Sequence, residues 1–372
     1  MRLALGVALS LALLPAGEVA EDRATRLVTF PLVDLAGGSA ERATLDALVA
    51  QRAREAGFDV VPAENVLAFL RRERLRYTGG VTAATLEALR SELDADAVLV
   101  ASVDLFESEP PPRVALNARI LAAEDGRIVW AAEVALSGDD RPGVLRLGEI
   151  QSIEELSDLA LSRLLGPLAQ GELARASGIR AAPGVWGQPA ERKGQRPKKV
   201  YRASELDQPS ARTPRVAVLP FENRSARPDA GEAVAGLFAT RLAGRAGLDL
   251  IEPGEVREAL LRGRVIQDQG LSLAQGDALR ELLDVDLVVT GRVLDYADFI
   301  GAPVPRVAFS VWVIDVRRRV VVWSAYSANR GDDGVVFFDV GRVRSARALA
   351  SGMVLAAATQ FARGFSTQAE GE

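Results

Sequence analysis

The sequence contains two related copies of one long segment. LDADAVLVASV at Leu93–Val103 recurs as LDVDLVVTGRV at Leu283–Val293, 190 residues later. PRVALNARILAAEDGRIVW at Pro112–Trp130 recurs as PRVAFSVWVIDVRRRVVVW at Pro305–Trp323, 193 residues later. The offset drifts by only a few residues, and the repeated unit of about 140 residues has the size of an ordinary domain. The chain is therefore predicted to hold two tandem homologous domains.

Each copy is predicted to fold as an α/β domain with one mixed sheet and about four helices. Apolar residues alternate in the strands and recur at helical spacing in the helices, in the order β-α-β-α-α-β-β-β-α. The first strands need helical crossovers and can pair in parallel, whereas the last three can form an antiparallel meander. In the second copy the predicted strands are Arg215–Phe221, Leu248–Ile251, Asp286–Tyr296, Arg306–Val316 and Arg319–Ala328. The predicted helices are Glu232–Ala246, Gly254–Arg262, Ser272–Leu283 and Arg342–Phe361.

The N-terminus predicts export. Arg2 is followed by the apolar run Leu3–Leu14, which suits a signal peptide and is shorter than the roughly 20 residues that cross a bilayer. A buried helix or an uncleaved anchor is the alternative. The predicted segments are a signal peptide at 1–20, a first domain at 26–168, a linker at 169–214, a second domain at 215–363 and a disordered tail at 364–372.

Composition excludes several kinds of catalysis. The chain has neither Cys nor His, which removes thiol nucleophiles, Ser-His-Asp triads and thiolate or imidazole zinc sites. It also has no Gly-rich phosphate-binding motif. The formal net charge of −5 does not favour nucleic acid as a partner. We expect no catalytic residue, no cofactor and no metal, and, without Cys, no bacterial lipid anchor.

Acidic residues recur at equivalent places in both copies. One pair follows the last hairpin, where a charged turn is favoured over a Ca²⁺ or Mg²⁺ site because no spaced ligand set surrounds it. Another pair lies before the central strand, where capping of the preceding helix is favoured over acid–base chemistry. These residues are Asp139, Asp140, Asp332 and Asp333, and Asp94, Asp96, Asp284 and Asp286. Trp130 and Trp323 are predicted to pack in the core.

Two segments are candidate contact surfaces. The segment from Arg175 to Arg212 has nine basic and three acidic residues, so it is either a solvated linker or an arm that touches an anionic membrane surface or an acidic protein. Its densest residues are Arg192, Lys193, Arg196, Lys198, Lys199 and Arg202. A rigid Pro-rich loop precedes the penultimate strand of each copy and is a candidate partner-contacting edge. Its prolines are Pro110, Pro111, Pro112, Pro303 and Pro305.

These motifs carry a family resemblance. VAVLPFEN at Val216–Asn223, the central strand Asp284–Gly291 and the hairpin Asp315–Ala325 resemble the TolB N-terminal-domain/CsgG-like superfamily. This group includes the N-terminal domain of the Tol-system propeller protein, the curli secretion channel protein and the lipoprotein activators of penicillin-binding proteins. The second copy resembles the pattern over nearly its whole length, and the first copy more loosely. The resemblance implies a cell-envelope α/β domain that acts by binding and assembly.

The sequence therefore predicts a non-enzymatic periplasmic protein, with the outer membrane as a site of association. It would act through protein–protein contacts in secretion, peptidoglycan-synthase regulation or motility. One alternative is a ligand-sensing or transport-associated protein that binds a solute between its two domains. Another is a carboxylate-based glycan hydrolase, which needs two carboxylates facing each other across a cleft.

Overall fold

A computed structural model defines most of both copies. It describes residues 23–38, 40–140, 149–170, 173, 184–186, 193–207, 212–243, 245, 247–265, 271–297, 304–333, 335 and 341–366. The predicted signal peptide and residues 367–372 of the predicted tail lie outside the described residues. We use "first unit" for the described part of 23–186 and "second unit" for that of 193–366.

The first unit forms a seven-stranded mixed sheet in the order β3-β1-β4-β5-β6-β7, with β2 paired to β4. Strands β1, β3 and β4 are parallel, β4, β5 and β6 form the antiparallel meander, and β7 is parallel to β6. The strands are β1 Arg26–Thr29, β2 Val33–Asp34, β3 Asp59–Val60, β4 Ala97–Glu107, β5 Arg113–Ala122, β6 Ile128–Ser137 and β7 Gly184–Trp186. The helices are α1 Arg42–Glu55, α2 Ala63–Arg72, α3 Ala83–Leu93 and α4 Ile153–Leu165.

The second unit repeats this topology in the order β11-β9-β12-β13-β14-β8, with β10 paired to β12. Its edge strand β8 differs from β7 because it precedes the sheet in sequence and runs antiparallel to β14. The strands are β8 Lys199–Arg202, β9 Arg215–Val218, β10 Glu222–Asn223, β11 Asp249–Leu250, β12 Leu287–Ala297, β13 Arg306–Asp315 and β14 Val320–Arg330. The helices are α5 Ala230–Leu242, α6 Pro253–Arg262, α7 Leu273–Leu283 and α8 Ala346–Ser366.

The two sheets share their irregularities as well as their strand order. The register between the central and next strands shifts at Val103/Leu105 in the first unit and at Val293/Asp295 in the second. A β-bulge re-aims the side chains around it, so matching bulges place matching positions on the same face. The mixed α/β fold class predicted from the sequence, with two sheet-bearing bodies, is confirmed.

Some segments differ from the sequence-based expectation. Part of the predicted linker 169–214 is ordered into the sheet, because Lys199–Arg202 pairs with β14 as an edge strand. Helix α8 continues to Ser366, past the predicted domain end at 363, because Phe365 is buried against Phe361, with ring centroids 5.4 Å apart.

The helices and sheets stack in alternating layers. Helices α1 and α4 cover one face of the first sheet, and α2 and α3 cover part of its other face. In the second unit α5 and α8 take the places of α1 and α4, and α6 packs beside α7. Helix α5 also contacts β5 and β6, and α8 also contacts β6, so the two helices form a layer shared by both sheets.

The two hairpin tryptophans lie in the cores on either side of this layer. Trp130 is fully buried and Trp323 nearly so, which confirms the predicted packing role. Among the described helices, none is both long enough and apolar enough to cross a membrane.

Candidate functional site

The shared layer is fixed to the first sheet by a buried cluster of charges. Asp104 on β4 and Glu133 on β6 face Arg241 on α5 and Arg347 on α8. The Arg347 guanidinium donates to Asp104 Oδ2 at 2.8 Å and to Glu133 Oε2 at 2.6 Å. Arg241 and the Ser351 hydroxyl both donate to Glu133 Oε1, the latter at 2.7 Å. Two acids and two bases make the cluster electrically neutral.

The pKa values of the buried groups in this cluster depend on the charges next to them. Burial opposes ionisation of Glu133, but the guanidiniums of Arg347 and Arg241 outweigh that penalty and hold its pKa below the ordinary value. Burial also opposes the charge of Arg347, but Glu133 and Asp104 raise its pKa. Burial lowers the pKa of Arg241. The units are therefore joined by ions that are stable only together.

Hydrogen bonds and backbone contacts extend the junction beyond the cluster. The Thr240 hydroxyl donates to Asn117 Oδ1 at 3.1 Å, and Arg119 donates to Glu252 at 2.7 Å. The backbones meet at a pair of glycines, because a Cβ added to Gly80 would lie 2.5 Å from the Gly254 Cα. Only glycine permits such a close approach, so the two units contact each other directly through their main chains.

The equivalent half of the second sheet has no such cover within the described residues. Asn117 pairs with Glu133 across β5 and β6, and Ser310 pairs with Tyr326 at the same register of β13 and β14. The second unit thus has Leu294, Ser310, Trp312 and Tyr326 where the first has Asp104, Asn117, Arg119 and Glu133. We call these four residues of the second unit, together with Tyr201 on β8, the open half-sheet.

The open half-sheet is apolar and accessible. Leu294 is 41% exposed and Tyr201 is 53% exposed, while Trp312 and Tyr326 are half-buried. The covered half of the first sheet is much less accessible to solvent, since Asp104 and Glu133 there are only 2% and 6% exposed. The same position on the same fold is therefore covered by two helices in one unit, whereas no described helix covers it in the other.

Basic residues border the open half-sheet. Lys199 pairs in register with Tyr326, and Arg292 pairs in register with Ser310. Arg292 also donates to Glu222 at 2.6 Å, and Lys199 is exposed. The basic segment predicted from the sequence thus reaches the open half-sheet through β8.

The other predicted contact residues are dispersed. Arg192 and Pro303 lie outside the described residues, and Lys193 begins the 3-10 helix Lys193–Gln195. Arg196 and Lys198 are exposed, whereas Arg202 is partly buried and donates to the Phe361 carbonyl at 3.2 Å. These residues stay predictions as contact sites.

The prolines divide into accessible and inaccessible ones. Pro110 and Pro111 are exposed at the tip of the loop between β4 and β5. Pro112 and Pro305 are buried, and their carbonyls accept from the Gly138 and Gly331 amides, each at 2.8 Å. Of the five candidate prolines, therefore, only Pro110 and Pro111 at the loop tip of the first unit are both described and exposed.

The recurring carboxylates have structural roles. Asp140 accepts from the Ser137 amide at 2.8 Å and Asp333 from the Arg330 amide at 2.9 Å, so both close a charged turn. Burial raises the pKa of Asp140. Asp94 and Asp284 end α3 and α7 in the left-handed conformation, as helix caps. Within the described ranges no three carboxylates gather as they would around a metal ion.

Comparison with known proteins finds solved structures that are similar, over most of their own length, to less than half of this chain. No family model and no curated protein matches the chain. The PelC dodecamer from Paraburkholderia phytofirmans is 19% identical, over 42% of this chain and 94% of that one, with a TM-score of 0.26. Lipoprotein GNA1162 from Neisseria meningitidis is 20% identical, over 32% and 85%, with a TM-score of 0.26. The LpoB C-terminal domain from Escherichia coli is 18% identical, over 32% and 86%, also with a TM-score of 0.26. Similarity at this level does not identify a function.

Proposed function

We propose that this chain is a non-enzymatic assembly module of a cell-envelope complex and binds a protein partner through the open half-sheet. One observation carries the proposal. The equivalent half of the first sheet already packs two helices of another unit, so the fold can bury this surface against helices. The second unit presents the same surface without that cover among the described residues.

The chemistry of the open half-sheet suits a protein partner. Trp and Tyr are enriched at protein interfaces because they supply a large apolar area with a polar tip. Trp312 lies next to Thr290 in register, and Tyr326 next to Ser310, so the aromatic rings stand on one face among small side chains. Lys199 at the edge favours a partner with acidic residues at its rim. The partner we expect is a pair of helices with small apolar residues at the contact.

The cell-envelope setting rests on the sequence. The apolar run Leu3–Leu14 predicts export, and the resemblance to the TolB N-terminal-domain/CsgG-like superfamily implies binding and assembly in the envelope. The candidate processes are secretion, peptidoglycan-synthase regulation and motility.

Site-specific photocrosslinking in cells tests the proposal. A benzophenone amino acid replaces Trp312 in one variant and Leu67 in a control variant. Leu67 on α2 is likewise an exposed apolar residue, at 42% exposure, but lies away from the open half-sheet. We expect a discrete adduct with an envelope protein from position 312 and none from position 67.

A second change separates contact from misfolding. Trp312→Ser removes the largest apolar group of the open half-sheet while leaving the core face of β13 intact. It should abolish the adduct formed by a crosslinker at Tyr201 while the far-UV circular dichroism spectrum stays that of the parent, with only a modest fall in the unfolding midpoint because Trp312 is half-buried. Equal adducts at positions 312 and 67, or an adduct at 201 that survives Trp312→Ser, would overturn the proposal.

A further inference from the structure

A cavity of about 180 Å³ lies between the two units, apart from the open half-sheet. Its walls are mainly apolar and come from both units, with Val33, Leu35 and Val100 from the first and Val218, Pro220 and Leu260 from the second. The charged side chain of Arg119 also lines it. Concave apolar sites with a few convergent polar groups, placed where two domains meet, are typical of small-molecule binding sites.

One polar atom on the cavity wall lacks a partner. Asn117 is 6% exposed, and its Oδ1 accepts from the Thr240 hydroxyl. Its Nδ2 is buried without a hydrogen-bond partner in the part of the chain that the structure describes. A buried donor left unsatisfied costs free energy, so this amide favours an acceptor placed in the cavity.

Space in front of this amide is open. A Cβ added to Gly236 on α5 would meet Asn117 Nδ2 at 4.0 Å and no other atom within that distance. Gly236 itself lines the cavity. The absence of a side chain at Gly236 therefore leaves room next to the only unsatisfied donor that we find on the described cavity wall.

The exposed end of the cavity is bordered by amphipathic groups. The Arg257 guanidinium lies 4.3 Å from the centroid of the Tyr77 ring, and the Tyr77 hydroxyl donates to Glu232 at 2.9 Å. Leu261, which is 66% exposed, completes this rim. The rim thus offers both signs of charge.

We propose that the inter-unit cavity binds a small molecule with a short apolar body and one hydrogen-bond-accepting group, a carboxylate or an amide carbonyl, which accepts from Asn117 Nδ2. This goes beyond the proposed assembly function, because the open half-sheet contributes no residue to it. Since both units line the cavity, the bound molecule would also stabilise the junction between them.

Selective isotope labelling gives a direct test. The chain has four asparagines, Asn65, Asn117, Asn223 and Asn329, so labelling only their side-chain amides yields a spectrum that can be assigned by single substitutions. The full chain is titrated with hexanamide and hexanoate, each of which has an acceptor. Hexylammonium serves as the control because it has the same chain length and no acceptor.

The expected result is a saturable shift of the Asn117 amide signals with both acceptor probes and none with hexylammonium. Gly236→Leu fills the cavity from a position where the first added atom meets no clash. It should abolish the Asn117 shift while the other three asparagine signals stay in place, which reports a folded chain. Unmoved Asn117 signals with both acceptor probes, an equal shift with hexylammonium, or an undiminished shift in folded Gly236→Leu would each overturn the proposal.

Discussion

Glu133→Gln tests whether the buried charge cluster holds the two units together. Glu133 lies between Arg241 and Arg347, and the side chains of all three are at most 2% exposed. The substitution preserves the shape of the side chain and removes its negative charge. Asp104 is then left as the single acid facing two buried guanidiniums, so the cluster changes from neutral to a net charge of +1.

The expected loss in the free energy of unfolding follows from the burial of Glu133. Two unit charges about 4 Å apart at an effective dielectric constant of about 20 interact by about 4 kcal/mol. Removing one partner of a buried ion pair is observed to cost about 3–5 kcal/mol. The amide oxygen introduced at position 133 can still accept from Arg347 or Ser351, so we expect E133Q to lower the free energy of unfolding by about 3 kcal/mol.

A double-mutant cycle isolates the electrostatic part. Arg241→Met alone leaves the cluster with a net charge of −1, whereas E133Q with R241M restores neutrality. The double variant should therefore be more stable than the sum of the single effects by about 1–3 kcal/mol. Unfolding in urea is followed by far-UV circular dichroism and by the fluorescence of the chain's four tryptophans, which lie on strands of both sheets.

An exposed ion pair provides the matched control. Asp277 accepts from Arg319 at 2.6 Å, and these side chains are 33% and 56% exposed. Asp277→Asn makes the same change of carboxylate to amide, and at such a surface site it should cost less than about 1 kcal/mol. If E133Q costs no more than D277N, or if the cycle is additive within about 0.5 kcal/mol, the cluster does not stabilise the junction as argued.

Four further predictions follow from single positions. Gly291→Ala should cost about 2 kcal/mol in urea unfolding because its Cβ would overlap the Phe221 ring and lie 2.6 Å from the Ser310 carbonyl oxygen; Phe221→Leu relieves only the ring contact and should recover part of that loss, and an unchanged stability of Gly291→Ala would exclude the overlap. Ser272→Ala should cost about 1 kcal/mol, since the hydroxyl caps α7, and Ser272→Asp should cost less. Gly236→Ala should raise the unfolding temperature, with a gain of up to about 1 kcal/mol, because it lies inside α5 with open space at its Cβ; a lower temperature would contradict this. Glu133 has a lowered pKa in the folded chain, so its contribution is present above the unfolded pKa of about 4.3 and is lost as pH falls through the lower folded value. Acid unfolding curves of the parent and E133Q should therefore converge at low pH, and a constant gap would refute the assignment.

The sequence could predict the fold because each unit obeys local rules. Alternating and helical periods located the strands and helices, and the acidic residue after α3 and α7 marked equivalent caps. Strand β9 is shorter than predicted, ending at Val218, because Pro220 has no amide hydrogen to continue the ladder. The edge strand β8 was missed, since Lys199–Arg202 has too few apolar residues to stand out within a basic segment.

The sequence could not predict which helices cover which face of each sheet. In β13, Ala308, Trp312 and Ile314 put apolar atoms on the face opposite to Phe309 and Val311, a pattern equally suited to a buried or an accessible face. Whether such a face is buried depends on whether helices such as α5 and α8 pack on it. The local periodicity of the sequence carries no information about that packing. The sequence did contain one sign of this difference in burial. When the two copies are aligned, Asp104 corresponds to Leu294 and Glu133 corresponds to Tyr326.

The contrast between these positions gives the two units surfaces of different chemistry at the same place in the fold. Buried ions such as Glu133 are costly unless partners are fixed opposite them, so their side of the first sheet suits one permanent contact. Trp312 and Tyr326 need no oppositely charged group opposite them, because an aromatic surface tolerates contact with both water and a protein partner. The first copy has a charge pattern specific for its own neighbour within the chain. Under the proposed function, the open half-sheet of the second copy is the surface that would associate with a partner and dissociate from it.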